Sequence, residues 1–101
     1  MNHSVFDALT LPNGTTLPNR LAKAAMEENM AVKGHLPDGH IFQLYNTWAK
    51  GGTGLLITGN VMVDHRAMTG PGGIVLEAKT SLAPFKKWAK AAQENGTKVW
   101  M

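Results

Sequence analysis

Cysteine is missing from the 101 residues, which excludes disulfides, thiolate nucleophiles and sulfur-ligated metal centres. No apolar run approaches the roughly 20 residues that a helix needs to cross a bilayer, so no membrane partner is expected. The opening stretch MNHSVFDALTL lacks a basic segment leading into a long apolar one, and no secretory leader is expected either. Three N-x-Ser/Thr sequons, at Asn2, Asn13 and Asn95, are then coincidences of composition, and a cytoplasmic location is the expectation. Charge is sparse as well, with a formal balance of +3. Lys86, Lys87 and Lys90 form the one local group, opposite an apolar helical stripe. That is the pattern of a solvated face, not of a nucleic-acid footprint, which needs a basic stripe with base-reading or stacking groups. The length fits one domain with a modest core.

What is present alternates in kind. LTLPNGTTLPN, about residues 8–18, predicts a capping hairpin, with Asn13-Gly14 as the turn pair and Pro12 and Pro18 limiting the ladder. RLAKAAM, residues 20–26, is apolar and small; its composition alone favours helix. LPDGHIFQLYNTWAKGG predicts a helix over 39–50, with Asp38 as its cap and Ile41, Leu44, Tyr45 and Trp48 spaced on one face. Residues 54–60, GLLITGN, read as a strand covered on both faces. A glycine-rich loop follows, expected to be mobile, and then a short extended piece at 74–76. A second helix is predicted over 82–95, capped by Thr80 or Ser81, with Leu82, Phe85, Trp88, Ala89 and Ala92 on its inner face. TKVWM, residues 97–101, begins another strand.

Strand, helix, strand, helix, strand is the order of an α/β protein with parallel strands and helical crossovers. This context makes 20–26 a strand in spite of its composition. It also puts Gly59-Asn60 at the carboxyl end of a parallel strand, where such sheets gather their ligands.

The candidate chemistry near that end is thin. GGTG, residues 51–54, precedes a strand, whereas a dinucleotide or phosphate-loop fingerprint follows one, so it reads as a helix end and tight turn. GPGG, residues 70–73, fits neither fingerprint. His3 and His40 read as surface residues and His35 as a loop residue. Asp64-His65, next to Arg66, is a possible acid–base or anion-binding group, but adjacent loop residues diverge and the dyad is weak. Nothing in the sequence completes a metal site around it. Glu27-Glu28 offer paired carboxylates, with a solvated loop as the plain reading. Met26 and Met30 are in the main core filler.

LPNRLAKAAMEE, LYNTWAKGGTGLLITGNVMVD and GTKVWM, in that order and spacing, resemble the start of the Old Yellow Enzyme family of flavin oxidoreductases. The resemblance implies part of a (β/α)8 TIM barrel, its first two to three βα units, with FMN at the carboxyl-end rim, NAD(P)H as co-substrate and a hairpin below. It implies Ala25 and Met26 as the pair whose backbone packs beside the flavin. Glu27 stands where the family commonly has Thr or Cys near the isoalloxazine. A carboxylate there opposes the negative charge of reduced flavin unless it turns away or is protonated. Asn60 stands where the family usually has Ala or Gly, and its amide can hydrogen-bond the ring edge. The cofactor-binding candidates are therefore Ala25, Met26, Glu27 and Asn60, with no catalytic residue and no metal.

The family's glutamine on the third strand, its histidine pair for the substrate carbonyl and its phosphate loops are expected beyond Met101. The resemblance thus implies the N-terminal portion of an NAD(P)H oxidoreductase that reduces activated alkenes, inactive by itself. The alternative is a non-catalytic remnant that acts at most as a self-association module. A flavodoxin-like sheet is disfavoured, since no glycine-rich loop follows the first strand. Parallel strands left without neighbours predict marginal stability, self-association, or a need for complementary sequence.

Overall fold

The computed structural model describes residues 4–101; Asn2 and His3, considered above, lie outside them. The chain begins with a hairpin, β1 (Leu9–Thr10) and β2 (Thr16–Leu17), in antiparallel register Leu9↔Leu17 and Thr10↔Thr16. Its turn is closed by Gly14 N–H donating to the Leu11 carbonyl at 2.9 Å, while the Asn13 side chain accepts from Thr15 N–H at 3.0 Å. Pro12 and Asn13 thus take the two central turn positions and Gly14 the fourth, an arrangement suited to Pro's fixed φ.

β3 (Ala22–Lys23) follows, then a long segment without regular structure up to α1 (Gly39–Lys50). Asp38 caps α1, its carboxylate accepting from His40 N–H at 3.1 Å; this satisfies one of the orphan amides of the first turn. Ile41, Tyr45 and Ala49 recur at four-residue spacing and are fully buried. β4 (Leu55–Ile57), β5 (Val61–Met62), β6 (Ile74–Val75), α2 (Ala83–Ala92) and β7 (Lys98–Trp100) complete the order.

β3, β4 and β7 form a parallel sheet with β4 in the centre, in register Ala22↔Leu55, Lys23↔Leu56, Leu56↔Val99 and Ile57↔Trp100. Each crossover carries one helix, so this is an α/β unit. The core lies between sheet and helices: Ile41, Tyr45, Ala49, Leu56, Ile74, Trp88 and Ala92. Tyr45 meets Trp48 and Trp88 edge-on, with centroids 5.2 and 5.3 Å apart, and each such pair contributes about 0.5–1.5 kcal/mol beyond its area.

Several boundaries differ from the sequence reading. The ladder of the first strand is Ala22–Lys23, not 20–26, because β3 has one partner, and beyond Lys23 the chain leaves that partner to cross over the sheet end. The second strand is Leu55–Ile57, not 54–60, and the third Lys98–Trp100, not 97–101. Val61–Met62, assigned to no element from the sequence, pairs in parallel with Ile74–Val75, within the extended piece expected at 74–76, and makes a separate two-stranded ribbon. The second helix is Ala83–Ala92, not 82–95, and a single 3-10 turn at Glu94–Gly96 follows it. Leu82 occupies its cap position without a side-chain bond. Thr80, expected there, instead accepts from Glu77 N–H through Oγ1 at 2.9 Å, the local bond to backbone that threonine readily makes in place of a cap.

Candidate functional site

β3 and β4 run in parallel, so the segments that follow them emerge at the same, carboxyl, end of the sheet. The segment after β3 carries Ala25, Met26, Glu27 and Glu28, and the one after β4 carries Thr58, Gly59 and Asn60. The two touch at Gly59. A Cβ there would collide with the Met26 carbonyl oxygen and with the Glu28 carboxylate, so only glycine permits this approach.

Glu28 fastens the contact. Its Oε2 accepts from the Tyr45 hydroxyl and, at 3.1 Å, from Gly59 N–H. Two donors from α1 and from the end of β4 therefore converge on one oxygen of the β3 segment. Tyr45 is fully buried, and its phenol is pushed well above the ordinary value of 10.0, first by burial and then by the Glu28 carboxylate that its proton serves. Lys23, on β3 itself, lies over the Tyr45 and Trp48 rings at 5.8 and 5.3 Å. It donates to the Ala24 carbonyl at 2.6 Å, and burial lowers its pKa while Glu28 partly offsets this.

Glu28 is thus no solvated loop residue, contrary to the plain reading of Glu27-Glu28. A signal for this existed in the sequence, since a tyrosine on the inner face of α1 must find a partner for its hydroxyl. Glu27 points elsewhere. It is exposed and accepts from Thr69 Oγ1 at 2.7 Å. Ala25, Met26 and Asn60 are also exposed at this end, Met26 by 66%, although methionine by itself favours core.

The glycine-rich segment is tied to the same rim. Gly72 accepts through its carbonyl from Ala31 N–H at 2.9 Å, and His35, in a turn, accepts through its carbonyl from Val75 N–H at 2.9 Å. Asn29 lies against Gly72 so closely that a Cβ would strike it. The Gly72 bond thus ties the glycine-rich stretch, and the Val75 bond ties β6, to the segment that follows β3.

Asp64 and His65 do not form a dyad. Asp64 holds Arg66, with Nη2 donating to Oδ2 at 2.7 Å, and this keeps the Asp64 carboxyl down at about 2. His65 Nδ1 instead contacts Glu77 Oε1 at 3.0 Å and stands 4.0 Å from Asp64. The Glu77 carboxyl is lowered by the backbone and ring of His65. Asp64, His65 and Glu77 gather their ligand atoms within 4.8 Å, but each is engaged in these surface contacts. His40 lies exposed just inside α1.

No family model matches the chain. Among curated proteins it is 43% identical over 93 residues to the NADH-dependent flavin oxidoreductase iliE of Hypocrea jecorina, which covers 88% of this chain and 23% of that protein. It is 36% identical over 98 residues to the NADH-dependent flavin oxidoreductase iccE of Talaromyces variabilis, covering 93% of this chain and 24% of that one. The chain therefore spans about a quarter of the length of these relatives. Among solved structures, the old yellow enzyme homologue from Zymomonas mobilis matches 97% of this chain and 27% of its own, at TM-score 0.83 and 17% identity. Morphinone reductase in complex with tetrahydroNAD matches 97% and 26%, at TM-score 0.82 and 19% identity. The Old Yellow Enzyme resemblance read from the sequence is borne out: the curated relatives are named flavin oxidoreductases and the fold is that of old yellow enzyme homologues.

Proposed function

We propose that this chain is the N-terminal portion of an FMN-dependent NAD(P)H oxidoreductase, built as the first strands and helices of a (β/α)8 TIM barrel. The observation that carries the proposal is the rim at the carboxyl end of β3 and β4, where Ala25, Met26 and Asn60 stand exposed around the Met26–Gly59 contact. In parallel α/β proteins this is the end where ligands gather. When bound, FMN supplies the hydride chemistry, accepting hydride from a nicotinamide and passing it to an activated alkene. The chain's own residues supply position: Ala25 and Met26 offer their backbone to one part of the ring system, and Asn60 offers an amide to its edge.

The rim suits such a group in one further respect. Glu27, whose carboxylate would oppose charge on a reduced ring, is engaged by Thr69, whose Oγ1 donates to it. The test is NMR titration of the chain with FMN at millimolar concentration. Shifts confined to the amides of Ala25, Met26, Glu27 and Asn60 are expected, and shifts elsewhere or none would overturn the reading.

A non-catalytic self-association module is the second reading. It is favoured by the groove of about 390 Å³ beside β7, lined by Leu82, Phe85, Val99 and Met101, and by the exposure of Leu82 and Met101.

A further inference from the structure

We infer that Glu28 is the positioning residue of the cofactor rim. The inference rests on the flavin reading above and adds to it the group that holds the rim in shape. Both donors that Glu28 serves, Tyr45 Oη and Gly59 N–H, land on the same oxygen, Oε2. One of them comes from the core helix and the other from the strand end that carries Asn60. The β3 segment has no ladder pairing from Ala24 to Met30; Glu27 and Asn29 tie it to the glycine-rich loop, and Glu28 ties it to Gly59 and the core helix. The neighbouring Glu27 is exposed and accepts instead from Thr69 Oγ1. By accepting from Gly59 N–H, the Glu28 carboxylate holds the Met26 carbonyl against Gly59.

Glutamine retains one side-chain oxygen, and because both bonds fall on a single oxygen it can accept both. The role therefore belongs to the acceptor atom and not to the charge, which separates it from a general electrostatic effect. Tyr45→Phe removes one donor and leaves the other.

The experiment compares the wild-type chain with Glu28→Gln, Glu28→Ala and Tyr45→Phe by amide hydrogen exchange and FMN titration, both read by NMR. Glu28→Ala should speed exchange at Gly59 by about tenfold or more while Leu56 and Val99 keep their protection, since local opening need not involve the sheet. It should also abolish the FMN response at Met26 and Asn60. Glu28→Gln should retain both the protection and the response, and Tyr45→Phe should fall between. If Glu28→Ala does not fold, the Gln and Phe variants decide: Gln behaving unlike wild type, or Phe leaving Gly59 unaffected, overturns the proposal. A wild-type chain with no response to FMN sinks the flavin reading and this proposal together. A wild-type response that persists in Glu28→Ala sinks this proposal alone.

Discussion

The hydroxyl of Tyr45, the one tyrosine of the chain, donates to the carboxylate of Glu28, 17 residues earlier and on a different element. A buried helix face is thereby linked to a segment that has no regular structure. The link can be read spectroscopically without interference from any other phenol.

The phenol of Tyr45 is raised above its ordinary value by burial first and by Glu28 second. In the unfolded chain it ionises near the usual value of about 10. Below that pH both states keep the proton and stability is untouched. Above it the unfolded state loses its proton first, so stability falls as pH climbs toward the folded-state value. Absorbance at 295 nm should show no phenolate in the folded chain at pH 10.5, with a late transition that coincides with unfolding. Glu28→Ala should lower the transition without returning it to 10, because burial remains the larger cause. A phenol titrating normally in the folded wild type would contradict the burial of its hydroxyl.

Gly59 makes the sharpest steric demand at the rim. Alanine there sets a Cβ against the Met26 carbonyl and the Glu28 carboxylate, and the backbone atom cannot swing aside as a flexible side chain would. The expected cost of Gly59→Ala is roughly 1–3 kcal/mol, the range for overpacking a tight site. Gly70→Ala is the control, since a Cβ there meets nothing within 4 Å, and it should stay within about 0.5 kcal/mol of wild type. Denaturant midpoints measured on both variants check this; equal midpoints would mean that the β3 segment does not lie on Gly59.

The sequence was legible where one physical signal spoke alone. The Asp38 cap and the spacing of Ile41 and Tyr45 marked α1, and the apolar run at Leu55–Ile57 marked the central strand. The segment RLAKAAM was legible through its neighbours only. Its short side chains have no strand preference of their own, and the parallel pairing of Ala22 and Lys23 with β4 decided the matter. The extended piece at 74–76 matches β6, but its pairing with β5 went unread because the two-residue strands are separated by eleven residues of loop-like composition. The Glu28 network went unread because a carboxylate beside another on a loop looks solvated until a distant tyrosine is known to face it.

Trp88 is almost fully buried, yet its Nε1 finds no acceptor among the described residues. Trp88→Phe therefore loses volume but no hydrogen bond, and it should cost clearly less than Trp88→Ala, for which roughly 3–5 kcal/mol is expected from the cavity left behind. Thermal or denaturant unfolding of the two variants checks this. A phenylalanine variant as damaged as the alanine one would show that the indole N–H has a partner in solution.

The apolar surface beside β7 bears on how the chain behaves by itself. Leu82, Trp100 and Met101 are 55%, 49% and 65% exposed, and among the described residues β7 pairs on one side only, with β4. An open edge beside apolar side chains is a template for association. The 101-residue chain is expected to elute above its monomer mass in size-exclusion chromatography, and Trp100→Lys should shift it toward monomer. A monomer with strong amide protection throughout would contradict this.

FMN retention by this chain should be weak, for a reason visible in the charges around the rim. A phosphate needs free cations or amides aimed at it. Two cations carried by β3 and by the loop after β4 are engaged elsewhere: Arg66 donates to Asp64, and Lys23 lies on the Tyr45 and Trp48 rings with its ammonium donating to Ala24. Ala25, Met26 and Asn60, proposed to meet the ring system, are uncharged and bring nothing to the phosphate. Calorimetry with FMN should therefore give a dissociation constant well above micromolar, and riboflavin, which lacks the phosphate, should bind no worse than FMN. Micromolar FMN binding, or a clear preference for FMN over riboflavin, would show that residues of this chain already grip the phosphate.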